Sequence, residues 1–330
     1  MIKAIATWKL IEQSLAENIP VMLLYVLQSE GSSPGRQSFF MVVNSKGEMN
    51  GSIGGGIMEH KFVEMAKEIL KAQGTRDKEQ GTRDKAQVRK QYHNKSAVTN
   101  QSGMICSGEQ TILLYPVSKK NLIAVQNIIS SLEQNKNGTL TLSPAGIDFE
   151  NKIPDQNFYY SFQSESDWIY REKTGSKNHL HIIGGGHCAL ALSNLMSSLD
   201  FYVHVYDDRK ELNTMLQNDA AHEKHLINDY ADLNELIPSG KDHYAVIMTM
   251  GYRTDDIAIR ALLEKNFRYM GVLGSQSKME KMMSEYRREG VNEKWLQRIH
   301  APAGLGIKSQ TPEEIAVSIA AEIIQKKNAD

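Results

Sequence analysis

The sequence predicts an α/β protein whose C-terminal half is built on a parallel sheet and whose N-terminal half is a mixed α+β domain. Three observations carry that prediction. The run His181-Ile182-Ile183-Gly184-Gly185-Gly186-His187-Cys188-Ala189 reads as strand, glycine turn and helix, and Phe201-Tyr202-Val203-His204-Val205-Tyr206-Asp207-Asp208-Arg209 reads as a second strand ending in carboxylates. Together they open a Rossmann-like unit. Strands and helices then alternate to the end of the chain, the pattern of a parallel sheet covered on both faces. Finally, 330 residues exceed one ordinary core and fit two domains of about 150 residues each. The expected division is a first domain over 1–165, a connection over 166–178 and a second domain over 179–330.

In the first domain, residues 3–17 place Ile5, Trp8, Leu10, Ile11 and Leu15 near one face of a helix. Val21 to Leu27 and Phe39 to Val43 are apolar runs of strand length, joined by the turn-rich Glu30-Gly31-Ser32-Ser33-Pro34-Gly35-Arg36. After a tight turn at 44–48, Gly51-Ser52-Ile53-Gly54-Gly55-Gly56 feeds the helical pattern that begins at Ile57. Two readings of this loop stand side by side. Bare amides at a helix start favour an anion such as phosphate, while glycines also serve turns that need positive φ. Residues 73–86 repeat a polar heptad, Gln73 to Glu79 and Gln80 to Ala86, without an apolar stripe, as in an exposed connection. Gln110 to Val117 reads as a strand, Lys119 to Leu132 as a helix, and Thr139 to Leu142 and Phe158 to Phe162 as short strands. The polar stretch 163–178 marks the boundary.

In the second domain, Tyr244 to Thr249 and Tyr269 to Gly274 read as further strands, and 255–264, 275–289 and 315–325 as helices. Thr311-Pro312-Glu313-Glu314 has the threonine, proline and glutamate of a capped helix start.

Composition narrows the function classes. Thirty-eight basic against 39 acidic side chains give a formal charge of -1, so no positive field tracks a nucleic-acid backbone. No apolar run approaches the roughly 18 to 20 residues of a membrane span, and the first residues lack a signal-peptide core, so a cytoplasmic protein is expected. Cys106 and Cys188 are the only cysteines, too few and too far apart for a disulfide framework or a zinc site.

Gly184, Gly185 and Gly186 suit a tight turn and the close approach of backbone to a pyrophosphate, and Asp207 stands where a ribose-binding acid is expected; capping of the following turn by Asp207 and Asp208 is the other reading. His187, in the first helical turn, faces whatever the loop holds or bonds back to the loop. Cys188 fits packing against the sheet. Cys106, beside small residues before a strand, is either a reactive thiol or a small buried group. His222 and His225 are three apart around Glu223, with no third ligand near in sequence, and are expected at the surface.

On these residues the chain resembles the XdhC/CoxI family, accessory factors for xanthine dehydrogenase and related molybdenum hydroxylases. The likeness rests on Gly31-Ser32-Ser33-Pro34 with Arg36, Gly51 to Gly56 with Glu59, and Cys106 before Gly108-Glu109. It extends to Gly184-Gly185-Gly186-His187, Asp207-Asp208-Arg209, Gly271-Val272-Leu273-Gly274-Ser275, His300-Ala301-Pro302-Ala303-Gly304-Leu305 and Thr311 to Ile323. Two departures from the family pattern are Ile57, where many members carry cysteine, and Thr249-Met250-Gly251-Tyr252, where relatives show a histidine-rich turn.

The resemblance implies a chaperone more than an enzyme. It implies a protein that binds molybdenum cofactor (molybdopterin), works with a cysteine desulfurase that sulfurates it, and inserts it into a molybdenum hydroxylase such as apo-xanthine dehydrogenase in purine catabolism. A homodimer is implied by likeness alone. On this reading Gly54 to Gly56 and Gly184 to Gly186 hold anionic groups, Asp207 and His187 orient the ligand, Glu59, Arg209, Gly274 and Ser275 complete the cofactor-binding set, and Cys106 contacts the molybdenum or relays sulfur. The rivals are an NAD(P)-dependent oxidoreductase, with His187 as a candidate acid, and a thiol-based sulfur carrier.

Overall fold

Residues 2–74, 85–92 and 108–329 are described in the computed structural model, and the chain forms two compact units, Met1–Gly175 and Ser176–Asp330. In the first, a five-stranded antiparallel sheet is ordered β3-β2-β1-β5-β4, from β1 (Val21–Glu30), β2 (Phe40–Asn44), β3 (Met49–Gly51), β4 (Gln87–Tyr92) and β5 (Glu109–Val117). Successive side chains of β1 alternate between two cores, as strand geometry requires. Met22, Leu24 and Val26 meet Met58, Phe62, Val63, Ala66 and Leu70 of α2 (Gly56–Gly74). Leu23, Tyr25 and Leu27 share the other core with Trp8, Ile11 and Leu15 of α1 (Ile2–Ala16) and with Val125, Ile128 and Leu132 of α3 (Leu122–Glu133). That core also takes in a second antiparallel sheet, ordered β7-β6-β9-β8, from β6 (Gly138–Ser143), β7 (Gly146–Glu150), β8 (Phe158–Ser164) and β9 (Asp167–Thr174).

The expected connection over 166–178 is therefore occupied by β9, and the two units meet at Gly175 and Ser176. Trp168 and Tyr170 point into the core, between the exposed Asp167 and Arg171 and with only Ile169 separating them, so the segment's average polarity conceals a half-buried strand.

The second unit carries a six-stranded parallel sheet ordered β12-β11-β10-β13-β14-β15. Its strands are β10 (Asn178–Ile183), β11 (Phe201–Asp207), β12 (Glu223–Leu226), β13 (Gly240–Ile247), β14 (Phe267–Val272) and β15 (Ile299–His300). This is the doubly wound order in which the chain reverses direction between β10 and β13, leaving a crevice beyond their carboxyl ends. On one face lie α4 (His187–Ser198) and α10 (Pro312–Asn328), contributing Leu192, Met196, Ile319 and Ile323 to a core with Leu180, Ile182, Val203 and Val205. On the other lie α7 (Tyr252–Leu262) and α8 (Gln276–Arg288), against Ile183, Tyr206, Ile247 and Val272; the short α5 (Asn213–Leu216), α6 (Leu233–Leu236) and α9 (Glu293–Leu296) lie in the connections. Thr311 caps α10 as expected, its hydroxyl accepting from the Glu314 amide at 3.2 Å. The segment expected only at the surface around Glu223 is the edge strand β12, too short and too polar to announce itself by periodicity. No described helix is long and apolar enough to cross a membrane.

Candidate functional site

A crevice of about 700 Å³ opens at the reversal point, among the carboxyl ends of β10, β11 and β13 and the start of α4. Its lining includes Gly186, His187, Cys188, Arg209, Thr249 and Met250. That volume suits a small-molecule ligand of nucleotide size.

The glycine turn gives each residue a different task. Gly184 has φ of 106°, and a Cβ there would stand 2.4 Å from the Met248 carbonyl oxygen, so no other residue fits between β10 and β13. Gly185 donates its amide to Asp207 Oδ2 at 2.7 Å, and its carbonyl accepts from the Thr214 hydroxyl. Gly186, at φ -71°, precedes α4, and a Cβ on it would meet nothing within 4 Å. No side chain caps α4, so its first-turn amides, which have no intrahelical acceptor, open on the crevice with the positive end of the helix dipole. His187 is exposed at this terminus. Cys188 is half-buried; burial, then Glu313, raises its thiol above the ordinary range, which disfavours the nucleophilic thiolate.

Asp207 ends β11 fully buried. Its two carboxylate oxygens accept from the Gly185 amide, from the Arg209 amide at 3.0 Å, and from the guanidinium at 2.8 and 2.7 Å. Burial alone pushes this carboxyl up, but the Arg209 and backbone donors outweigh it and hold the group below its usual range. Asp207 thus fastens the turn and Arg209 together beneath the crevice. Arg209 is left partly exposed at the lip, where Nη1 also reaches Met250 Sδ at 3.0 Å.

The first glycine loop is built differently. Gly54, Gly55 and Gly56 all have positive φ, and a Cβ on Gly54 would lie 2.4 Å from the Gly35 nitrogen. The loop therefore packs backbone against backbone on the Gly31 to Arg36 segment. The amides leading into α2 are largely served: Glu59 Oε2 accepts from Ile53 at 2.8 Å, Gly55 at 3.0 Å and the Ser52 hydroxyl at 2.7 Å. The chain supplies its own anion to this helix start.

Of the residues singled out by sequence, the structure gathers Gly184, Gly185, Gly186, His187, Asp207 and Arg209 at one crevice. Gly54, Gly55, Gly56 and Glu59 form a separate, self-satisfied turn in the other unit. Ser275 caps α8 by accepting from Lys278, and Gly274 packs on Met279; neither lines the crevice. Cys106 lies outside the described residues. Sequence reasoning passed over Thr214, which holds the turn from below, and Asp255. The latter is buried and accepts from the Thr249 amide at 3.1 Å and from Lys278, fixing the β13 wall. Asp255, the first of an Asp pair three residues after Tyr252, gives little sign of that role beyond its position after a strand end.

Comparison with known proteins agrees with this architecture. The model of the XdhC Rossmann domain matches residues 180–323, and that of the XdhC and CoxI family matches residues 14–80. The Escherichia coli K12 protein named "Uncharacterized protein YqeB" is 25% identical over 315 residues, covering 94% of this chain and 44% of that one. A probable xanthine dehydrogenase subunit of Bacillus subtilis 168 is 30% identical over 161 residues, covering 48% of this chain and 46% of that one. The matches thus span less than half the length of these curated relatives. The crystal structure of a xanthine dehydrogenase from Bacillus halodurans superposes with a TM-score of 0.67 at 22% identity, covering 97% of this chain and 95% of that one, and shows the shared fold. With matches to both of its characteristic regions, the chain belongs to the XdhC/CoxI family.

Proposed function

We propose that this protein carries molybdenum cofactor for a xanthine dehydrogenase-type hydroxylase, with the phosphate end of the pterin held at the α4 crevice. One observation carries the reading: in a chain of this family, the uncapped start of α4 opens on a crevice of about 700 Å³ at the reversal of the parallel sheet. The names of the Bacillus relatives, each a xanthine dehydrogenase or a subunit of one, support the choice of partner. The donors fit the cargo's anionic end, since first-turn amides and the Arg209 guanidinium favour phosphate, and Gly186 leaves room for it. Sulfuration by a cysteine desulfurase, insertion into the apo-hydroxylase, a cytoplasmic site of action, homodimer formation and a metal-end role for Cys106 belong to the same proposal. The two units, taken as 1–175 and 176–330, would then divide the work between partner contact and cargo binding.

Arg209 favours a second reading. A basic side chain beside the ribose position accommodates the 2′-phosphate of NADP, and Asp207 is committed to Gly185 and Arg209 rather than facing a ribose. Purification after co-expression with the pterin pathway, followed by oxidation and fluorescence of the extract, separates the two. Retained pterin with no NADPH turnover supports the cargo reading; tight NADPH binding with turnover and no pterin contradicts it.

A further inference from the structure

Away from the crevice, β10 and β11 present His179, His181 and Ile183, and Tyr202, His204 and Tyr206, toward one face of the sheet, by strand alternation and register. The carboxyl end of that face is apolar core, while its amino end carries histidines from several strands. His204 lies in register with Glu223 and Tyr206 with His225, so the neighbouring strand brings a carboxylate and a second imidazole beside His204. His204 Nδ1 is 3.3 Å, and His225 Nε2 3.1 Å, from the same oxygen, Glu223 Oε2. One potential ligand atom from each of the three residues lies within 4.8 Å of those of the other two. Both imidazole nitrogens are buried, and their contact to the shared carboxylate oxygen falls outside good hydrogen-bond geometry.

We propose that His204 Nδ1, Glu223 Oε2 and His225 Nε2 bind a first-row divalent transition-metal cation, zinc(II) foremost. Ligands at about 2.0–2.1 Å from a tetrahedral metal are separated by about 3.3 Å, close to the 3.1 and 3.3 Å found here. The outer atoms of two ligands are already held as metal sites require. His204 Nε2 is 3.2 Å from His179 Nδ1, which accepts its proton when Nδ1 binds metal, and Glu223 Oε1 accepts from the Tyr202 hydroxyl at 2.9 Å. His225 is fixed by stacking on Tyr206, with ring centres 4.5 Å apart and planes 11° from parallel. Two imidazoles and one carboxylate select zinc-like ions over calcium or magnesium, which want oxygen. Three protein ligands leave the fourth tetrahedral position to water. None of the three lines the crevice, so this site stands or falls independently of the cargo proposal. His222 is not a ligand: its Nδ1 accepts from the Val203 amide at 3.0 Å. The sequence reading that put His225 and Glu223 at the surface without a third ligand lacked His204, which comes from the neighbouring strand.

The test is titration of the chelator-treated full chain with zinc(II) against a chromophoric chelator, and with cobalt(II) followed in the visible region. The expected result is one equivalent bound with ligand-field bands and no thiolate charge-transfer band, which excludes Cys106 and Cys188. Glu223→Gln and His225→Asn keep the shape of partly exposed side chains, and each is expected to weaken binding at least about tenfold with unchanged circular dichroism. His222→Ala is expected to bind as the parent does. Absence of cobalt bands in the parent, a thiolate band, or bands that survive Glu223→Gln and His225→Asn together would overturn the site.

Discussion

Two glycine triplets, Gly54 to Gly56 and Gly184 to Gly186, each precede a helix, and a sequence alone gives them the same meaning. The structure separates them by what occupies the amides. In the first unit Glu59, one turn into α2, folds back and takes Ile53, Gly55 and Ser52. In the second, Asp207 takes one loop amide, Gly185, from beneath and is otherwise spent on Arg209, and the first turn of α4 opens on a crevice. On the proposed reading, the loop before α4 is the better ligand site because it opens on a crevice while Glu59 takes up much of the loop before α2.

The largest expected effects test what the triplets share. Gly54→Ala and Gly184→Ala each drive a Cβ to 2.4 Å from backbone at positive φ, and each should cost about 3 kcal/mol or more, read as a fall in denaturation midpoint. Gly186→Ala, with open space around its Cβ, should cost less than about 1 kcal/mol yet reduce pterin retention. Equal losses of stability at all three glycines would erase the distinction between a packing glycine and a binding one.

Acid should break the second unit before the first. Burial, reinforced by neighbouring histidines, lowers His181 to about 2, and burial lowers His204 to about 4 even though Glu223 opposes it. The unfolded chain takes up these protons near pH 6.5, whereas the folded sheet refuses them until far lower pH. Stability of the metal-free protein is thus level above about pH 7. Below about 6.5 it falls by about 1.4 kcal/mol per pH unit per histidine, the His204 part ending near pH 4. Equilibrium unfolding from pH 7.5 to 4.5 checks this, and a flat profile would contradict it. Crevice binding should vanish along this slope, while the Glu59 turn persists.

Glu59→Ala is expected to have a smaller effect, about 1–2 kcal/mol, because the loop is partly solvated and water replaces the carboxylate. Pterin retention should be unchanged. A loss of retention with normal stability would move the cargo to the first loop and reverse the comparison.

How much of this was legible in the sequence follows the same physics. β1, β10, β11 and β13 announce themselves as apolar runs because both faces are buried. β9 hides because Trp168 and Tyr170 sit in a stretch of Asp167, Arg171, Glu172 and Lys173, two of whose charged residues are themselves buried, and β12 because four mostly polar residues carry no period. The triplet at Gly184, with Asp207, pointed correctly to a parallel nucleotide-type unit, but not to the carboxylate's being spent on Arg209, which depends on how the turn after β11 closes. The reach of Glu59 to Gly55 spans one helical turn and was available from spacing. The pairing of His204 with Glu223 was not, since it requires the register of an edge strand.

The most direct test of the open-loop claim is backbone amide chemical-shift mapping of the full chain titrated with pyrophosphate. Saturable shifts at Gly186, His187, Cys188 and Ala189, with Gly54, Gly55 and Gly56 unmoved, are the predicted result. Shifts at Gly54 to Ile57 instead, or none at the start of α4, would contradict it.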